Sequence, residues 1–274
     1  MLECTHIMAM NEMHEANRKY WDTAAPEWQM LDDGDWRKCS QQPSLAFEGD
    51  VLDMINEFIG NLQGKHACVI GSGDNYAAFA LAGLGALVTS TDISEQRLKV
   101  AEQRAHILNL DIHFVRCDAA DLTPIADAEF DLVCSTNGFF VWIADLAGVF
   151  TEVSRVLKPG GYYIFYDIHP FMRPWKDQTV IEMGKPYFQT GPFPLKEQRQ
   201  TTYEFHWTLS DIINSLLGSG LILRRIAETT AQNSRFWQGT SYGEGGDDSL
   251  KDWHNNPRAG LPSWLTVVAQ KPAP

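Results

Sequence analysis

Residues 67–92, with the sequence ACVIGSGDNYAAFALAGLGALVTSTD, constrain the fold more than any other part of this chain. The apolar run 67–70 predicts a buried strand, the glycines within 71–73 a tight turn, and the small residues that follow a helix. The run 87–91 predicts a second buried strand, which Asp92 ends. Glycines allow backbone N–H groups to approach a ligand, a helix start carries partial positive charge, and a carboxylate accepts hydrogen bonds from a ribose diol. The stretch therefore predicts a nucleoside-binding crevice.

Two kinds of nucleoside ligand compete for this crevice. A dinucleotide fingerprint needs a third glycine five positions after the first, and Tyr76 occupies that position. The tyrosine ring is too bulky beside a pyrophosphate, so NAD and FAD are disfavoured. The stretch resembles instead motif I of the class I S-adenosylmethionine (SAM) dependent methyltransferases, acid-x-Gly-x-Gly-x-Gly, with Val69 at the acid position and Asn75 at the last glycine. A generic glycine-rich turn of another α/β protein is the remaining interpretation of the motif taken alone.

Further features in the same order as in that family strengthen the resemblance. They are a predicted strand 112–116 followed by Asp118, a strand 130–135 that matches motif IV, the phrase RVLKPGG at 155–161 before a strand 162–167, a strand 221–227 and a last strand 264–270. The resemblance implies an α/β, Rossmann-like fold with a seven-stranded, mostly parallel sheet and helices on both faces. It also implies that the last strand inserts antiparallel between the fifth and sixth.

The chain divides into two predicted regions. Residues 1–60 precede the first core strand and predict an N-terminal helical cap, with a helix-prone segment at 12–20 and an amphipathic helix at 50–59. Residues 61–274 predict the SAM-binding methyltransferase core, with insertions at about 169–205 and 231–262. Irregular segments of this length inside a domain are commonly functional or disordered, and the aromatic content of the first insertion favours a lid over an acceptor site.

Charge and composition limit the partners. The formal net charge of -13 argues against a nucleic-acid polyanion as the main partner, because no basic face can offset the phosphate charge. The N-terminal sequence lacks a basic region followed by an apolar core, and no apolar run reaches the ~18 residues of a membrane span. We therefore expect a cytoplasmic protein that has no membrane partner and acts on a small-molecule acceptor. A homodimer is the candidate assembly.

The resemblance also implies a set of cofactor-binding residues. A carboxylate after the third strand hydrogen-bonds the adenine amino group in the resembled family, and Asp118 fits because a carboxylate only accepts hydrogen bonds. The alternative for this residue is a turn or cap role. The strand-end rule for open α/β sheets adds the backbone after the fourth strand. The predicted cofactor residues are Tyr20, Gly71, Ser72, Gly73, Asn75, Asp92, Ile93, Asp118, Ala119, Ser135 and Thr136.

Candidate residues for the acceptor and for proton transfer are fewer. Asn137, Phe139 and Tyr20 are predicted to contact the acceptor. His169 and His206 are the candidate catalytic bases, because each follows a strand or precedes a helix near the predicted crevice and imidazole titrates near ~6.5. Each histidine has the alternative of a structural hydrogen bond. The remaining histidines form no cluster with cysteines or acids at ligand spacing, so no metal site is predicted.

These observations predict a SAM-dependent methyltransferase that transfers a methyl group to an O or N atom of a small-molecule acceptor. One alternative is a non-catalytic protein that binds SAM or S-adenosylhomocysteine (SAH). A second alternative is an NAD-dependent oxidoreductase, which Tyr76 and the predicted terminal strand disfavour.

Overall fold

One large sheet organises the computed structural model, which describes residues 2–31, 34–197, 200–239 and 246–273. The strands, in chain order, are β1 (His66–Val69), β2 (Leu87–Asp92), β3 (Ile112–Arg116), β4 (Phe130–Ser135), β5 (Leu157–Ile168), β6 (Phe193–Glu197), β7 (Gln200–Glu204), β8 (Ile222–Thr229) and β9 (Trp264–Gln270). The helices are α1 (Leu2–Leu31), α2 (Val51–Phe58), α3 (Tyr76–Gly83), α4 (Glu95–Leu108), α5 (Leu146–Val156), α6 (Leu209–Gly218) and α7 (Ser234–Trp237).

The sheet has the order β3-β2-β1-β4-β5-β9-β8, and β6 pairs with β7 in a separate hairpin. β1 lies between β2 and β4 and is parallel to both. β9 is antiparallel to β5 on one side and to β8 on the other. The predicted fold class is therefore confirmed, including the insertion of the last strand. The strand order reverses between β1 and β4, and ligands of open α/β sheets bind at such a switch point, beyond the carboxyl ends of the strands.

Alternating side chains of the central strands supply two separate cores. Val69 and Cys134 pack on one face of the sheet, where α2 and α3 cover them. Cys68 and Val133 point to the opposite face, where α5 and α6 cover them. Successive residues of a strand face opposite sides, so strands covered by helices on both faces are apolar throughout. This explains why each predicted core strand is a continuous apolar run.

The N-terminal helix is much longer than the predicted segment 12–20. α1 is a 30-residue helix that continues through Pro26. It lies across the carboxyl end of the sheet, where Asp22 accepts a hydrogen bond from the Ser94 hydroxyl at the start of α4 (2.7 Å). Among the described residues, no helix combines the length and the apolar character that crossing a bilayer requires.

The two predicted insertions contain more regular structure than expected. The segment 169–205, predicted to be irregular, holds the hairpin β6–β7, in which Phe193 faces Glu204 in register. In the sequence, prolines and polar residues obscure the alternation of apolar and polar side chains that is typical of strands. The segment 231–262 holds α7 and two short 3₁₀ turns. α5 ends at Val156, and β5 starts directly at Leu157, several residues before the predicted strand.

Candidate functional site

The turn after β1 requires residues that tolerate a left-handed backbone. Gly71 and Gly73 have φ angles of 56° and 53°, and Asn75 has a φ of 68°. Asparagine is among the few residues other than glycine that adopt this region readily, so Asn75 can replace the last glycine of the motif. A side chain at Gly71 would meet the Phe139 ring, because an added Cβ would lie 2.5 Å from Cδ2. The turn is therefore shaped by its backbone angles and by the ring packed against it.

Asn75 faces into the protein and not toward the crevice. Its side chain is fully buried, and its Oδ1 accepts hydrogen bonds from the hydroxyls of Ser72 (2.7 Å) and Ser90 (2.6 Å). Its Nδ2 donates to the Gly73 carbonyl oxygen (2.8 Å). Asn75 thus holds the turn against β2 from inside, which the sequence alone did not indicate.

Asp92, at the end of β2, lies beside the turn. Its two carboxylate oxygens accept hydrogen bonds from the backbone N–H groups of Gly73 (2.9 Å) and Ser94 (2.8 Å). Burial raises the pKa of the Asp92 carboxyl above its ordinary value, while these two donors act in the opposite direction. Each carboxylate oxygen has a second lone pair, so the group retains acceptor capacity for a ribose diol.

The loop after β4 is held by the neighbouring strand. Asp167 near the end of β5 is 4% exposed and accepts hydrogen bonds from the backbone N–H groups of Gly138 (2.7 Å) and Phe140 (2.8 Å). The residue between these two donors, Phe139, is thereby fixed against the glycine turn. This loop and the turn after β1 form the two walls of the crevice at the switch point.

Helix α1 forms a third wall of the crevice, and His14 connects it to the other two sides. The Ala144 backbone N–H donates to His14 Nε2 (2.8 Å), so this nitrogen carries a lone pair. Nδ1 then carries the proton of the neutral ring and donates to Asp118 Oδ2 (2.6 Å). Asn17, one turn further along α1, pairs with the backbone of Tyr203 through both its amide atoms (2.9 and 2.8 Å). The helix is therefore tied to the end of β3, to the loop before α5 and to the hairpin.

Two adjoining cavities lie between these walls. The first, of about 100 Å³, runs from Asp92 to Asp118 under α1. The second, of about 410 Å³, opens on the other side of Phe139. Residues that line both are Trp21, Gly71, Gly73, Arg97, Gly138, Phe139 and Trp142. The shared lining makes one continuous cleft along the carboxyl edge of the sheet.

Comparison with known proteins assigns the class of this cleft. Residues 68–165 match the family model described as a methyltransferase domain. The ubiquinone biosynthesis O-methyltransferase of Thiobacillus denitrificans is 33% identical over 126 residues, which are 46% of this chain and 53% of that protein. The match to the family model assigns residues 68–165 to a methyltransferase domain. The chain spans about half the length of this curated relative, so the identity of the domain does not extend to the relative's activity or substrate.

Solved structures share the fold of the methyltransferase domain and of most of its surroundings. A SAM-dependent methyltransferase from Mesorhizobium loti has a TM-score of 0.59 and 20% identity, with 81% of this chain and 98% of that chain covered. The [4+2]-cyclase SpnF has a TM-score of 0.61 and 16% identity, with 94% and 95% covered. The second structure is named for a different reaction, so the fold alone does not define the chemistry of its cleft.

The cleft of the methyltransferase domain fits SAM, the cofactor of this class. Gly71 and Gly73 line both cavities, and the Asp92 carboxylate lies beside this turn with unused lone pairs. Asp118 lies at the other end of the first cavity and offers acceptor oxygens at 25% side-chain exposure. Acceptors for a ribose and for an adenine amino group thus occur in the order that the cofactor needs.

Most of the predicted cofactor and acceptor residues line this cleft. Gly71, Gly73, Asp92, Ile93, Asp118 and Ala119 line the first cavity, and Ser72, Thr136, Asn137 and Phe139 line the second, with Phe139 and the two glycines common to both. Three predicted residues do not line either. Asn75 is buried behind the turn, Ser135 is buried against the Tyr163 hydroxyl (2.7 Å), and Tyr20 stacks on Trp142 (ring centroids 6.1 Å apart).

Neither candidate histidine base lines the cleft. His169 is 3% exposed, its Nδ1 accepts the Phe171 backbone N–H (3.0 Å), and its Nε2 donates to Glu228 (2.7 Å). His206 packs on the ring of Phe193 (4.7 Å) and lines a separate small cavity. Each histidine makes a hydrogen bond of the kind stated as its structural alternative, His169 to Glu228 and His206 to Glu204 (3.2 Å).

Other residues of the cleft lay outside the sequence prediction. His14, Asn17 and Trp21 of α1 line the first cavity, and their spacing of three and then four residues places them on one face of a helix. That periodicity was a usable signal. Arg97 lies over the Trp21 ring (5.3 Å) and lines both cavities. Within the described residues, no group of three or more His, Cys, Asp or Glu side chains is arranged to hold a metal ion.

Proposed function

We propose that this protein is a SAM-dependent methyltransferase that methylates an O or N atom of a small-molecule acceptor. The observation that carries the proposal is the continuous cleft, in which the first cavity, from Asp118 to Gly71, joins a second, larger cavity past Phe139. A cofactor groove that ends in a second cavity leaves room for an acceptor beside the reacting group. A protein that only stores a nucleoside has no need of that room.

Each part of the cleft has an assigned role in this proposal. Asp92 accepts hydrogen bonds from the ribose hydroxyls, and Asp118 accepts one from the adenine amino group. The backbone at Gly71–Gly73 and at Thr136 lies along the methionine portion, and Asn137 and Phe139 face the acceptor. Tyr20 supports this arrangement from outside through its stacking on Trp142.

The chemistry that SAM supplies is an activated methyl carbon on a sulfonium sulfur. The chain's own task is then to align the acceptor with that carbon and to exclude water. Trp21 and Trp142 meet edge to face, with ring centroids 5.1 Å apart, over the boundary between the two cavities. We assign these two rings to the exclusion of water from the reacting atoms.

The test is calorimetric titration of the purified chain with SAM and with SAH. We expect binding by the wild type and loss of at least ~10-fold in affinity for Asp92→Ala, since hydrogen bonds to charged groups contribute about 1.5–3 kcal/mol each. Asp111→Ala is the control, because Asp111 is exposed and its replacement removes the same charge. Absence of SAM and SAH binding by the wild type would overturn the proposal, and NAD would be tested next.

Transfer is tested separately with isotopically labelled SAM and a panel of hydroxyl and amine acceptors. Labelled product would exclude the alternative of a non-catalytic SAM-binding or SAH-binding protein. Tight SAH binding without transfer to any acceptor would favour that alternative. The cap of residues 1–60, a homodimer and a cytoplasmic location stay predictions, and sedimentation analysis of the full chain tests the dimer.

A further inference from the structure

Exposed apolar side chains are concentrated in the insertion that follows β5. Of the thirteen large apolar side chains that are exposed in the described part of the chain, six lie within positions 171–195. They are Phe171, Val180, Ile181, Met183, Phe188 and Leu195. Single exposed apolar residues are normal on a protein surface, whereas a contiguous group marks contact with a partner or a membrane. The insertion is therefore the candidate contact surface of this protein.

The loop between Trp175 and Met183 is an ordered hairpin. These two residues form an antiparallel bridge, and the backbone N–H of Lys176 donates to the Glu182 carbonyl oxygen (2.9 Å). Ile181 lies within the loop and is 55% exposed, and Met183 at its end is 53% exposed. Because the two sides of the loop bond to each other, its apolar side chains are held outward by the fold of the loop itself.

A row of aromatic rings adjoins this loop. The Phe171 ring centroid lies 6.1 Å from that of Trp175 and 5.6 Å from that of Tyr187, and Phe188 follows at 5.3 Å from Tyr187. Phe188 is 82% exposed. The loop and the rings thus form one surface. Its exposed side chains, which we call the apolar patch, are Phe171, Val180, Ile181, Met183 and Phe188.

The base of the apolar patch is attached to the core. The Tyr187 hydroxyl accepts the backbone N–H of Leu209 at the start of α6 (2.9 Å). Arg258, which is buried, donates from Nη2 to the Met172 carbonyl oxygen (3.2 Å), and its guanidinium lies 6.0 Å from the centroid of the Trp175 ring. These contacts fix the segment on both sides of the loop, so the patch is a built surface.

Basic residues accompany the apolar patch. The segment 171–196 has the basic residues Arg173, Lys176, Lys185 and Lys196 and the acidic residues Asp177 and Glu182. The segment is therefore net positive in a chain whose formal net charge is -13. Salt screens charges beyond about 8 Å at physiological ionic strength, so a partner on this surface meets the local charge and not the total charge.

Charge favours a lipid surface over a second copy of this chain as the partner. Segments that lie at a membrane interface combine apolar side chains with basic residues and with Trp and Tyr rings, which this surface has. Anionic headgroups complement its positive excess. A symmetric dimer through the same patch would instead bring two net positive segments against each other.

We propose that the apolar patch docks this protein on the surface of a bilayer that contains anionic lipids. The patch enters the boundary between headgroups and acyl chains, and the basic residues of the segment face the lipid phosphates. The expectation of no membrane partner rested on the absence of a membrane-spanning run, which docking at the surface does not require. The inference does not depend on the proposed methyl transfer.

Docking would bring the second cavity of the cleft near the lipid. Gln178 of the hairpin loop lies beside Gly239, since an added Cβ at this glycine would be 3.9 Å from Cγ of Gln178. Gly239 follows directly after α7, and Arg235 and Phe236 of α7 line the second cavity.

The experiment is co-sedimentation of the purified chain with vesicles. One preparation is phosphatidylcholine alone, and the other is phosphatidylcholine mixed equally with phosphatidylglycerol, each at low and at high salt. Ile181→Ser and Phe188→Ser are made singly and together. Ile107→Ser is the matched control, because Ile107 is 67% exposed on α4, outside the patch. Urea unfolding of every variant reports whether its fold is intact.

We expect the wild type to bind the mixed vesicles about 10-fold or more tightly than phosphatidylcholine alone, and high salt to reduce this difference. The double variant should lose about 10-fold or more in affinity for the mixed vesicles, since two large apolar side chains no longer enter the bilayer. Ile107→Ser should bind within about twofold of the wild type, as surface substitutions outside a contact usually do.

Three results would overturn the inference. The first is a wild type that does not bind the mixed vesicles or binds both preparations equally. The second is a double variant that binds as tightly as Ile107→Ser. The third comes from sedimentation without lipid, where a dimer of the wild type that the double variant no longer forms would assign the patch to a second copy of the chain.

Discussion

His14 of α1 and Asp118 at the end of β3, 104 residues apart in the chain, are joined by a hydrogen bond of 2.6 Å. The Ala144 N–H occupies the other ring nitrogen of His14, so the histidine donates and the carboxylate accepts. Asp118 is the residue assigned to the adenine amino group. The N-terminal helix therefore contacts the residue that we propose to bind the adenine, and we expect the position of the helix and cofactor binding to be coupled.

Replacing His14 should weaken both the fold and cofactor binding. His14→Phe removes the donor to Asp118 and leaves the Ala144 N–H without its acceptor. We expect a loss of about 1–3 kcal/mol in the free energy of unfolding and a decrease of ~10-fold in SAH affinity. Urea unfolding and calorimetry measure the two effects. His106→Phe, at an exposed position of α4, is the control, and equal SAH affinities of the two variants would contradict the coupling.

Gly71 should tolerate no side chain, for two separable reasons. Its φ of 56° strains alanine and most other residues, and a Cβ would lie 2.5 Å from Cδ2 of Phe139. Gly71→Ala should therefore destabilise the fold by about 2 kcal/mol or more in urea unfolding. Gly220→Ala is the matched control, because Gly220 has a φ of 83° and open space around it, so only the backbone strain remains.

A second variant separates the two contributions at Gly71. Combining Gly71→Ala with Phe139→Leu replaces the ring that the new Cβ meets by a smaller side chain. The double variant should therefore lose less free energy of unfolding than the sum of the two single losses. Additive losses would mean that backbone strain alone accounts for the glycine at this position.

Stability should decrease in mildly acidic solution. Burial lowers the pKa of His206 below its ordinary 6.5, with Arg173 and Lys185 acting in the same direction and Glu204 against them. Between the lowered pKa and 6.5 the unfolded chain binds more protons than the folded chain, so the free energy of unfolding rises with pH in this window. The stability is fully present above 6.5 and declines as the pH falls below it.

The measurement is urea unfolding at about pH 7.5 and about pH 5.5, either side of the ordinary histidine pKa. His206→Phe should reduce the loss at the lower pH, and His106→Phe should leave it unchanged, because His106 is exposed. Burial also lowers the pKa of His169, so His206→Phe should remove part of the loss and not all of it. An unchanged loss in His206→Phe would assign the effect to other groups.

Local chemistry along the chain determined the framework of this protein. The apolar run before Gly71, the glycine turn and Asp92 are neighbours in sequence, so their roles follow from backbone geometry and side-chain type. The sheet order and the antiparallel β9 came from the resemblance, since strand pairing is not readable from a single strand. Most of the cofactor groove was also predictable, because the resemblance gave the strand order and the carboxyl ends of parallel strands meet at one edge of the sheet.

Tertiary structure decided which side chains face the cleft. Asn75 lies in the motif but turns inward, because the hydroxyls of Ser72 and Ser90 satisfy it there. His169 follows β5 but pairs with Glu228 of β8, away from the cleft. Glu48 and Trp264 are distant in the chain but both line the second cavity. Sequence specifies what each residue can bond, whereas its direction depends on partners that only the packed chain brings within reach.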